Sequence, residues 1–256
     1  MKKLFTLLIV LIMLFTVFSG CNEQTSNTDE SNNDSSDNGE NFDMPVIENI
    51  GIEIDFYNET TNKAGDFQFD TFMYSWGGIY NEKIFYDYGD SSTNETGAII
   101  YEPQPMFIAP LGTKVHAITS GVVSDISTLY SGDYTIHVIK ENNPKYAYEH
   151  EHVINVNVNI GDKVTAGQII AEVSDYNQWL KEDGYGVVDI GILTSENGNP
   201  VHLCPFMYLN ESVKQDYLDK INALYNSWEA YTGNSSLYDE DEHAMPGCII
   251  LDPINR

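Results

Sequence analysis

Hydrophobic and polar residues alternate with period two along much of segment 45–209. Ile50 to Phe56 alternates, Tyr134 to Ile139 does the same, and the run from Val153 to Ile160 is almost pure period two. Successive side chains of a strand point to opposite faces, so the pattern predicts half-buried strands. Gly, Pro, Asn and Asp punctuate these runs at short intervals, as turns between strands require. The pattern then switches. Val213, Tyr217, Ile221, Leu224, Trp228 and Tyr231 recur at spacings of four and three, which predicts one helix with an apolar stripe. Ser212 with Gln215 reads as its capping box and Gly233 as its stop. The expected fold is mainly β over 45–209, with a C-terminal helix and tail over 210–256.

The start of the chain follows a different rule. Lys2 and Lys3 precede an uncharged apolar run from Leu4 to Phe18, and Ser19-Gly20 stand immediately before Cys21. That layout is a signal peptide over 1–20, too short for a comfortable membrane span. The cysteine in that place resembles the lipobox of bacterial-type lipoproteins, which implies cleavage before Cys21 and lipid on its thiol. Residues 21–44 are then an acidic Asn/Ser-rich tether that cannot bury enough apolar surface to fold. The expected location is the extracytoplasmic face of a cell membrane, with membrane lipid as the partner of Cys21. In that oxidising setting Cys204 and Cys248 are the natural disulfide pair; two buried free thiols are the alternative.

Charge narrows the function. The 256 residues contain 39 acids and 12 Lys or Arg, a formal charge of −27, and the single arginine is Arg256. Nucleic-acid binders neutralise phosphates with basic side chains, so nucleic acid is not expected as a partner. A neutral or cationic ligand suits this surface better than an anionic one.

An internal echo lies in the β region. Gly112-Thr113-Lys114-Val115-His116-Ala117 and Gly161-Asp162-Lys163-Val164-Thr165-Ala166 share the form Gly-x-Lys-Val-x-Ala. With Ala109-Pro110 before the first, Gly121-Val122-Val123 after it and Gly167-Gln168-Ile169-Ile170 after the second, the segment resembles lysostaphin-type (LytM-like) zinc endopeptidases. Pro200 to Leu209 is similar to the segment that closes such domains. The resemblance covers about residues 102–209 and implies a duplicated hybrid motif, a β barrel-sandwich, here with N-terminal β additions. Biotinyl and lipoyl carriers share the Gly-Asp-Lys-Val turn, but Tyr146 to His152 offers no modifiable lysine hairpin.

The resemblance implies a zinc ion on a His-x-x-x-Asp pair and on the second histidine of a His-x-His strand. By register the first pair falls on Glu102 and Met106, and the His-x-His positions on Val187 and Asp189. No His-x-x-x-Asp exists anywhere in 45–106. One family position is kept, the histidine of a Tyr-x-His-Leu motif, which falls on His152. Glu149-His150-Glu151-His152 is the densest run of ligand-type residues; on a regular strand His150 and His152 share one face and the two glutamates the other. The competing reading is a solvated strand edge.

Two functions follow. In the first, a pseudoenzyme keeps the peptidase-like scaffold and acts by binding cell-envelope polymer or an envelope protein. In the second, a divergent metallohydrolase uses His152 and His150 in catalysis and holds zinc or another divalent cation on Glu102, Asp189 and His152. His116, His137, His202 and His243 are expected to be structural or exposed. Tyr74, Trp76, Tyr80, Tyr86 and Tyr88 are expected to pack an N-terminal β layer and its rim.

Overall fold

The computed structural model describes residues 44–69, 83–93, 96–239 and 241–255. The signal peptide, Cys21 and nearly all of the tether lie outside the described residues, as do Tyr74, Trp76 and Tyr80. Among the described residues no helix is long and apolar enough to cross a membrane.

The architecture is mainly β. Two long strands form its spine, Asn143–Ile154 and Tyr185–Glu196, antiparallel and in register from Ala147↔Leu193 to Glu151↔Asp189. Gly121–Thr128 and Tyr134–Lys140 extend the sheet on one side. On the other, Tyr185–Glu196 pairs with Met106–Pro110 along its first half and with Asn199–Leu203 along its second. The two echoed segments sit alike: Lys114–His116 and Lys163–Val164 each follow a positive-φ glycine and bury a valine. Gly112 and Gly161 have φ of 90° and 94°, a conformation that side-chain-bearing residues rarely adopt.

Two of the expected strands are extended segments rather than ladder members. Ile52 and Ile54 are buried in alternation with exposed Glu53 and Asp55, whereas Gly51 beside Ile50 is buried too and Phe56 is exposed. Isolated bonds hold the segment instead, His116 N–H to the Gly51 carbonyl and Asp66 N–H to the Glu53 carbonyl. The run from Val153 leaves its strand after Ile154, where Asn155 turns left-handed at φ 50°, and continues on a single bond from Asn157 N–H to Ile170 O.

The C-terminal helix spans Glu211–Thr232 and ends on left-handed Gly233. Its cap is Asn210, whose side chain accepts from Ser212 N–H, not the Ser212–Gln215 box, because the chain is still extended at Asn210 and already helical at Ser212. Ile221, Leu224, Tyr225 and Trp228 form the buried face, whereas Tyr231 stays 47% exposed. That face meets an aromatic cluster: Trp228 lies edge-on to Phe69 at 5.1 Å, and Tyr225 edge-on to Phe85 at 5.5 Å. Phe85 also contacts Phe107 at 4.9 Å, joining the helix to the sheet. Tyr86 and Tyr88 are buried. A short helix, Gln178–Glu182, capped by Asn177, is an element that periodicity did not predict, since it is too short to show a stripe.

The C-terminal tail is fastened in three ways. Ile254 pairs with His202, the Tyr88 hydroxyl lies 2.8 Å from both the His202 and Asp252 carbonyls, and Cys204 is disulfide-bonded to Cys248. The bridge is fully buried and closes 44 residues of sequence, a loop long enough for a constraint on the unfolded chain of about 4 kcal/mol. Scanning calorimetry with and without reductant is therefore expected to show a large loss of melting temperature on reduction, matched by Cys248→Ser.

Candidate functional site

The site is shaped by an irregularity in Asn143–Ile154. Its pairing with Tyr134–Lys140 shifts once between Asn143 and Ala147, runs regularly from Ala147↔Ile139 to His150↔Ile136 and resumes at Val153↔Tyr134, one residue out of step. His152 takes up the extra residue with φ 55°. Such a bulge breaks the alternation of side chains. His150 and His152 therefore do not share a face, contrary to the expectation from a regular strand.

His150 is fully buried. Its Nε2 accepts from Ile118 N–H at 3.0 Å, and Nδ1 lies 3.4 Å from the Ile136 carbonyl. Burial pushes its pKa down to about 4, so it is a neutral structural ring and not a group of the cleft. The glutamates of the run are also not solvated: Glu149 is 0% and Glu151 9% exposed.

His152 goes the other way. Its Nδ1 lies 2.8 Å from Asp133 Oδ2, and its ring stacks on Tyr176 at 4.1 Å. Burial opposes the charged form of His152, but the Asp133 hydrogen bond and the charges of Asp189, Asp133 and Glu151 outweigh it and raise the pKa. Asp133 shows the counterpart: burial would raise its carboxyl, yet the bonds from His152, Ser131 and Ser174 bring it below the ordinary value. With Nδ1 engaged, Nε2 is the nitrogen left for a ligand.

Glu102, Met106, His152 and Asp189 line one cavity of ≈ 170 Å³, with Lys83, Asp90, Tyr130 and Tyr176 around them. Met106 and Glu151 are the ladder partners of Asp189 on either side, which fixes the three positions relative to one another. Asp90 is neutralised by Lys83 at 2.8 Å. Asp189 has no such partner. Its Oδ1 is buried without a hydrogen bond, and burial, reinforced by Glu151, Glu102 and Asp133, pushes its pKa up to about 8 against the pull of His152. Burial and the neighbouring Asp90 raise Glu102 as well.

This donor set does not suit zinc. A catalytic zinc needs three anionic or neutral N, O or S donors converging on one point. Here Met106 offers only a thioether, and the Asp189 carboxyl, pushed up to about 8, holds its proton. Among the described residues no group of three His, Cys, Asp or Glu side chains is placed to hold a metal ion.

Sequence reasoning missed a second polar cluster. Glu149 is clasped by two histidines, His137 Nε2 at 2.8 Å and His202 Nε2 at 2.5 Å. Burial alone would raise the Glu149 carboxyl, but these bonds pull it down to about 2. Gly191, the ladder partner of Glu149, makes room: a Cβ there would lie 3.1 Å from Glu149 Oε2 and 3.0 Å from Gln104 Nε2. Residues 137, 149 and 202 lie on three different strands, so no spacing in the sequence could reveal the group.

Residues 105–185 match the sequence model of peptidase family M23. The centre of this chain is thus similar to M23 peptidase domains over about a third of its length. It contains Met106, His150 and His152, while Glu102 and Asp189 flank the matched span. No curated protein matches the sequence significantly. Among solved structures, the catalytic domain of the antimicrobial peptidase lysostaphin from Staphylococcus simulans is 24% identical, over 43% of this chain and 79% of that one, with a TM-score of 0.35. LytU is 20% identical over 48% of this chain and 82% of its own, with a TM-score of 0.36. Against the solution structure of lysostaphin the alignment spans 43% of that chain, at 24% identity, 43% of this one and a TM-score of 0.35.

Asp189 gives the protein a pH signature. A carboxyl whose folded pKa is raised costs nothing below the unfolded value and withdraws stability as pH rises towards and through about 8. Asp189→Asn removes the charge that burial disfavours. Its melting temperature is expected to match the parent at about pH 4 and to exceed it by a growing margin up to about pH 8.5; a pH series of thermal melts checks this.

Proposed function

We propose that this chain is an outward-facing, membrane-anchored lipoprotein whose M23 domain acts by binding cell-envelope polymer or an envelope protein, not by hydrolysis. One observation carries the reading: the positions where the zinc peptidases keep ligands are gathered around one cavity, but they present Glu102, Met106 and a protonated Asp189. A cavity is present there, but a thioether and a protonated carboxyl are poor groups for activating a metal-bound water. The signal layout and Cys21 support the lipid anchor.

The hydrolase reading retains a single point in its favour, the Asp133-oriented His152, which has the form of a positioned general base. His150 drops out of it, since both its ring nitrogens serve the backbone.

Metal analysis of the purified protein separates the two. The expected result is well under one zinc per chain, unchanged in His152→Ala. Stoichiometric zinc that disappears in His152→Ala contradicts the binding reading.

A further inference from the structure

We propose that the cavity of the M23 domain is a receptor for a primary ammonium group, seated between Glu102 and Asp189. The inference rests on the binding reading above and names the chemistry of the ligand.

Acids outnumber bases around the cavity, and with no cation paired to it Asp189 keeps its proton. Lys83 answers Asp90 and His152 answers Asp133. Glu102 and Asp189 are left, and among the described residues neither has an ion-pair partner. Asp189 Oδ1 is buried without a hydrogen bond, a costly arrangement for a polar atom at a cavity wall. A ligand that brings a cation with N–H donors satisfies both deficits at once.

The remaining walls select the kind of cation. Calcium takes six to eight oxygen ligands, and zinc needs donors that do not converge here. Tyr130, Tyr176 and Met106 instead offer aromatic and thioether surface. Those surfaces suit an alkylammonium, whose nitrogen is attracted to aromatic faces and whose methylenes pack against apolar atoms. The ≈ 170 Å³ cavity is of a size for such a head group, not for a folded partner. Tyr130 is 93% exposed, and Ile99, Ile100 and Tyr101, directly before Glu102, are also exposed, so a rim is present on which the attached chain can lie.

A lysine side chain and a peptide amino terminus share this chemistry. Three probes distinguish them by calorimetric titration into the full-length protein: acetyl-Gly-Lys-Gly-amide, Gly-Gly-Gly-amide with a free terminus, and acetyl-Gly-acetyllysine-Gly-amide with no amine. At least one amine-bearing peptide is expected to bind about tenfold or more tighter than the fully acetylated one, with affinity falling about tenfold in both Glu102→Gln and Asp189→Asn. Thermal melts of the two variants confirm that they are folded. Equal affinity for all three probes, binding to none, or binding unaffected by both substitutions overturns the proposal. Zinc content of the same sample is the separate check: a metal-free protein that ignores amines sinks this inference alone, whereas one zinc per chain sinks the binding reading beneath it.

Discussion

The one-residue slip between His150 and Val153 is the constraint on which the cleft depends. Without it His150 and His152 point the same way, and either both serve the core or both serve the cavity. With it, His150 locks the strand to the Ile118 backbone while His152 swings to Asp133 and Tyr176. A left-handed φ of 55° at a histidine carries a conformational cost, which the Asp133 hydrogen bond and the stacked ring help to offset. The bulge thus separates one structural histidine from one cavity-lining histidine within three residues.

The two buried carboxylate environments show how partners decide the charge state. Glu149 is buried and remains ionised because two imidazoles donate to it. Asp189 has its Oδ1 buried without a hydrogen bond and holds its proton, first because burial disfavours the charge and then because Glu151, Glu102 and Asp133 outweigh His152. Strand pairing sets where positions 106 and 189 lie, and it does so whichever side chains occupy them. Whether a metal can bind depends on the donors alone.

Much of this was legible in the sequence. The two Gly-x-Lys-Val turns, the helix stripe and the stop at Gly233 are local signals, and local hydrogen bonding realises them. The register that put Glu102, Met106, Asp189 and His152 together was legible through the family resemblance. The face of His150 was not, because a bulge is decided by the neighbouring strand and leaves no periodicity of its own. The clasp of Glu149 by His137 and His202 was hidden for a related reason, since three separate strands contribute one residue each and His202 lies 53 positions from Glu149. Alternation at Ile52–Asp55 predicted burial correctly and pairing incorrectly, as an extended segment can bury one face without a ladder partner.

The central claim is that Asp189 is a neutral acid in a cleft that holds no metal. Carboxyl carbon NMR of Asp189 as a function of pH, repeated with zinc present, tests it most directly. The account predicts a titration midpoint near the value of about 8, unaltered by zinc. A midpoint in the ordinary carboxylate range, or one that falls when zinc is added, contradicts it.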